Sequence, residues 1–105
     1  MSRTAEEWGR IAVSLPGWRW MPGMQTLSLP NPELPDPDDP ATEGCLIRLL
    51  GNARLARQAL KAAGHYNEAH RLHIAFMLGK GIGPACIGAA DALGQWSGGG
   101  HASNV

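Results

Sequence analysis

The 105-residue sequence predicts a mainly α domain of three or four helices carrying a proline-rich irregular arm. Three observations lead there. Apolar residues recur at helical spacing in four stretches, two stretches open on strong capping signals, and seven of the eight prolines crowd into residues 16–40. The length suits one domain with one modest core, read as residues 1–97 with the arm at 16–39 and a flexible tail at 98–105. A small α+β fold, with a short antiparallel sheet packed on helices, is the alternative.

Thr4-Ala5-Glu6-Glu7 forms a capping box, and Trp8, Ile11, Ala12 and Leu15 follow on one face, which predicts a helix over about 5–14. Pro16 disfavours helical geometry at the preceding residue and stops it. Within the arm, Trp18–Met21 and Met24–Leu27 could be short strands around Pro22-Gly23, although Pro-Gly suits a type II turn better than a hairpin turn. Asp39 caps the next helix, with Pro40 at its first position. Its apolar face runs from Thr42 through Cys45, Leu46, Leu49, Ala53, Ala56 and Leu60 to Ala63, unless Gly51-Asn52 breaks it. Residues 66–78 are readable both ways. Leu72, Ile74, Phe76 and Leu78 alternate as a strand would, but Ala, Glu, Arg, Leu and Met dominate, so helix is favoured, with Asn67 as cap. Pro84 opens a last helix with Cys86, Ile87, Ala90, Leu93 and Trp96 inward. The expected core joins Trp8, Ile11 and Ala12 to Cys45, Leu49, Ala53, Ala56 and Leu60, and to His73, Phe76, Ile87, Ala90 and Leu93.

Composition excludes more than it assigns. Nine basic residues balance nine acidic ones, no apolar run is long enough for a membrane span, and two cysteines cannot make a zinc finger or disulfide scaffold. Glu6 and Glu7 stand where an export signal would be basic, so an intracellular protein with free thiols is expected. The neutral total hides a division. Glu33, Asp36, Asp38, Asp39 and Glu43 come without a base between them, and then Arg48, Arg54, Arg57, Lys61, Arg71 and Lys80 follow with only Glu68 against them.

No motif carries catalysis. Gly79-x-Gly81-x-Gly83-Pro84 lacks the second strand and acidic residue of a dinucleotide fold, and Lys80 lacks the Ser or Thr of a P-loop. His65 with Glu68, and His70 with His73, lie one turn apart, yet three converging ligands are missing, so no metal and no cofactor is expected. Cys45 and Cys86 fall on apolar faces, where thiolate is disfavoured. The expectation is a protein that is not an enzyme.

Two binding sets remain. Trp18 and Trp20 point the same way from an extended stretch, with Arg19 opposite, and with Asp36, Asp38 and Asp39 they form the expected partner-binding set. Gly81-Ile82-Gly83-Pro84 resembles the turn of the helix-hairpin-helix DNA-binding motif, which implies backbone N–H groups gripping a phosphate. That resemblance nominates Lys80, Gly81 and Gly83, with Arg54, Arg57 and Lys61, as nucleic-acid contacts. Ala85 and Cys86 stand where that family has lysine or arginine. Gly64-x-Tyr66-x-Glu68-Ala69-x-x-Leu72 resembles part of a tetratricopeptide repeat, but no second copy follows.

A wider resemblance runs through Leu15-Pro16-Gly17-Trp18-Arg19-Trp20-Met21-Pro22-Gly23-Met24 and Leu34-Pro35-Asp36-Pro37-Asp38-Asp39-Pro40-Ala41-Thr42-Glu43-Gly44-Cys45-Leu46. The pattern W-M-P-G-M, then D-P-A-T-x-G-C-L, is similar to that of small proteins of tailed bacteriophages and prophages. It fades after Leu50, and members of the group place a strand and then a helix where residues 71–96 lie. The resemblance implies viral origin and the cytoplasm of an infected bacterium. By analogy with other small phage proteins, it implies stoichiometric binding to a bacterial protein, including inhibition of a host defence such as CRISPR-Cas. DNA-backbone binding through residues 79–84 and a small virion or assembly component are the alternatives.

Overall fold

The structure is a computed structural model in which residues 3–27 and 33–98 are described. Five helices follow one another among the described residues: α1 (Ala5–Ser14), α2 (Pro40–Leu50), α3 (Ala53–Ala62), α4 (Tyr66–Leu78) and α5 (Ile82–Leu93). The described residues contain no strand, only an isolated antiparallel bridge between Thr26 and Pro35. The fold is mainly α, and the sheet alternative fails.

The starts of α1 and α2 follow their local signals. The Glu7 N–H donates to Thr4 Oγ1 at 3.1 Å while the Thr4 N–H donates to Glu7 Oε1 at 2.8 Å, closing the capping box. Those bonds to Thr4 hold the Glu7 carboxyl below its ordinary pKa. Asp39 accepts from the Thr42 N–H at 3.0 Å.

The count of three or four helices is corrected to five among the described residues, because Gly51-Asn52 divides the long apolar stretch. Gly51 adopts φ +90 and donates to the Ile47 carbonyl, ending α2. The Asn52 side chain then accepts from the N–H groups of Arg54 and Leu55, starting α3. Residues 66–78 are helical throughout. Asn67 lies inside α4 and is not its cap; that position falls to His65, with no side-chain bond. Helix α5 starts at Ile82, two residues before Pro84, because left-handed Gly81 provides the entry. Proline is tolerated there, since N–H groups of a first turn have no intrahelical partner.

Helix α5 sits at the centre and packs against the other four helices. Its sequence explains the position: it is apolar on nearly all sides, with Cys86, Ile87, Ala89 and Ala90 fully buried. Small residues let neighbours approach closely. A Cβ built at Gly83 would stand 1.9 Å from the Pro37 carbonyl oxygen. Beyond α5, left-handed Gly94 turns the chain so that Trp96 returns beneath α1. The Trp96 N–H donates to the Pro16 carbonyl at 2.8 Å, and its indole Nε1–H to the Ala12 carbonyl at 2.9 Å.

The expected core holds for Ala12, Cys45, Leu49, Ala56, Leu60, Ile87 and Ala90, all buried. Phe76 is the correction, 37% exposed. Leu46 and Leu50 are buried as well, because α2 lies between α5 and the arm. Ser97 Oγ donates to the Leu50 carbonyl at 3.0 Å, and Gly98, the first residue of the expected tail, packs on the backbone of Arg48 and Gly51. Residues 99–105 lie outside the described residues.

Candidate interaction surfaces

The described residues of the arm attach to α2 and the core, and this attachment divides the expected partner-binding set. Met21-Pro22-Gly23-Met24 forms a turn closed by the Met24 N–H on the Met21 carbonyl at 3.1 Å, with Gly23 at φ +95, as a type II turn requires. The two short stretches around it do not pair with each other. Instead, the Leu27 N–H bonds the Leu34 carbonyl at 2.9 Å and the Asp36 N–H bonds the Gln25 carbonyl at 2.8 Å. Buried Thr42 then pins this pair to α2, its Oγ1 accepting from the Gln25 N–H at 2.7 Å. Leu34, Pro35 and Pro37 are buried beneath.

Within the set, Trp18 is partly buried on the core, with its ring centroid 6.1 Å from that of Trp96 and its Nε1 buried without a partner. Asp39 is the α2 cap, and Asp36 Oδ1 accepts from the Asp38 N–H at 3.0 Å. These three residues hold the fold. Arg19 and Asp38 are exposed, and Trp20 is 47% exposed while touching Trp18 edge-on at 5.4 Å. Trp18→Ala is therefore expected to cost about 2–3 kcal/mol, and Trp20→Ala about 1 kcal/mol or less, in denaturant unfolding. Equal losses would show that Trp20 is as structural as Trp18.

The second set is also divided. Arg54, Lys61 and Lys80 are exposed, whereas Arg57 is half-buried with its Nε lacking a partner. Gly81 is exposed at φ +65. Gly83 is buried against Pro37, so the first turn of α5 faces the arm at that point and not an open phosphate site.

Neither cysteine presents an exposed thiol. Burial pushes the Cys86 thiol up to about 12, with Glu43 adding to the effect. Cys45 is buried too, its Sγ accepting from Arg48 Nη2 at 3.4 Å. Iodoacetamide at mildly alkaline pH is expected to leave Cys86 unmodified in the native protein and to label it after denaturation. Rapid native labelling would contradict its burial. His65 Nδ1 lies 4.0 Å from Glu68 Oε1, and no group of three or more His, Cys, Asp or Glu among the described residues could hold a metal. No helix among them is long and apolar enough to cross a membrane.

What the sequence reading misses is on the other side of α5. Among the described residues seven large apolar side chains are exposed, and six of them belong to α3 or α4: Leu55, Tyr66, Ile74, Phe76, Met77 and Leu78. Helix α4 buries Ala69, Leu72 and Ala75, which places Tyr66, Ile74, Met77 and Leu78 on its outer side. The signal was present as the unbroken apolar run Ile74-Ala75-Phe76-Met77-Leu78. Five consecutive helical residues point all round the axis, so a helix buried on one side must leave some of them in water. Beside this face, α1, α4 and α5 frame an open groove of about 950 Å³, floored by Ala75, Ala85, Gly88 and Ala89 and walled by Trp8. No family model, curated protein or solved structure matches the chain.

Proposed function

We propose that the protein acts by stoichiometric binding to a bacterial protein, and that the outer face of α3 and α4 is the docking surface. One observation carries this reading: the concentration of exposed large apolar side chains on those two helices, with Met77, Leu78 and Tyr66 each about two-thirds exposed. Scattered apolar residues need no explanation, but four on the outer side of one thirteen-residue helix do. The rigid helical pair also presents them at low entropic cost on binding. Trp20, Arg19 and Asp38 of the arm are a second accessible group.

The resemblance to small phage proteins supplies the host context, and a defence component is the partner class this reading favours. The experiment is affinity capture from a bacterial host lysate, followed by mass determination of the intact complex. A host protein retained at fixed stoichiometry is the expected result. No retained protein under conditions that preserve weak complexes would overturn the proposal. Recovery of the chain in purified phage particles would favour a virion component instead.

A further inference from the structure

We infer that the partner offers an acidic surface with an apolar centre, a conclusion that rests on the docking reading above and adds the partner's chemistry. Residues 53–80, which make α3, α4 and the turn after α4, hold five bases, Arg54, Arg57, Lys61, Arg71 and Lys80, against the single acid Glu68. The rest of the chain holds four bases against eight acids. A neutral molecule is thus split into a basic helical pair and an acidic remainder.

None of those five bases forms an ion pair among the described residues; the ion pairs there are Arg10 with Glu6 and His65 with Glu68. Arg54, Lys61, Arg71 and Lys80 are exposed, so their charge is available to a partner. The same two helices carry six of the seven large apolar side chains exposed among the described residues. The two helices and the turn after them thus carry both kinds of group, apolar and cationic, from which an interface with a hydrophobic centre and a polar rim is built. Complementarity then requires carboxylates on the partner, opposite these cations.

Nucleic acid is the other polyanion that would answer this charge, and the side chains argue against it. Four of the six, Leu55, Ile74, Met77 and Leu78, are aliphatic and offer no ring for base stacking, which leaves Tyr66 and Phe76 as the only rings among them. Buried Gly83 withholds part of the backbone grip that a glycine hairpin would supply.

The test uses three labelled probes in fluorescence anisotropy with the whole chain. They are a short amphipathic helical peptide with leucine on one side and glutamate on the other, the same peptide with lysine for glutamate, and a short DNA duplex. The glutamate peptide is expected to bind at least about tenfold more tightly than the lysine peptide, and to weaken as salt is raised. The variant Arg54→Glu/Arg71→Glu/Lys80→Glu, checked for an unchanged melting temperature, should reverse that preference. If this triple variant is unstable, Lys80→Glu alone, outside any helix, should still lower the glutamate peptide's affinity severalfold. Equal binding of the two peptides, or a duplex bound as tightly as the glutamate peptide, would overturn the inference. The probes are synthetic, so this failure is distinct from a failure to capture a host protein.

Discussion

Trp96→Ala is expected to cost about 3–5 kcal/mol, enough to remove a large share of the stability of a domain this size. Trp96 is 1% exposed, the largest of the fully buried side chains. Its truncation opens a cavity beside Trp18 and leaves the Ala12 carbonyl without the indole donor. The loss reaches beyond local packing, because Trp96 joins the end of the described chain to α1. Urea unfolding monitored by far-UV circular dichroism measures it. A cost under about 1 kcal/mol would mean that the site collapses without strain or that this tie contributes little.

Gly83→Ala should have the second largest effect, at about 3 kcal/mol, near the upper end for overpacking. The new methyl would stand 1.9 Å from the Pro37 carbonyl oxygen, which is backbone and cannot turn aside. Either α5 or the arm must move, so protection from hydrogen exchange should fall at Asp36, whose N–H bonds Gln25. Gly88→Ala is the control on the same helix. Its methyl would meet only the Trp8 ring, at 3.6 Å, and alanine favours helix over glycine by about 1 kcal/mol, so this variant should melt higher. Similar losses in both variants would contradict the close approach at Gly83.

The legible parts of the fold were those set by neighbours in sequence. Thr4 with Glu7, and Asp39 with Pro40, mark the starts of α1 and α2 because caps are local hydrogen bonds. Gly51-Asn52 announced a break but not whether packing would bridge it. What escaped the sequence depends on distant pairs. Trp96 bonds a carbonyl 84 residues away, and Thr42 fixes an arm residue 17 positions earlier. No periodicity reports such contacts. The centrality of α5 could have been suspected from its apolar residues on all sides, which the inward-facing reading of Cys86, Ile87 and Ala90 passed over.

The candidate site was legible in charge and not in shape. The basic run from Arg54 to Lys80 is visible in the sequence, but its coincidence with exposed apolar residues required knowing which face of α4 is buried. Trp18 and Trp20 stand out in the sequence because tryptophan is costly to leave in water. The fold covers much of Trp18 and leaves Trp20 about half-exposed.

The docking claim is tested most directly by Met77→Glu/Leu78→Glu, whose side chains are 68% and 66% exposed in the free protein. Exposed substitutions of this kind usually change stability by about 0.5 kcal/mol or less, so the melting temperature should stay within a few degrees. Capture of the host protein, quantified beside the unaltered chain, should fall at least about tenfold. Undiminished capture by a folded double variant would contradict the claim that α3 and α4 form the docking surface.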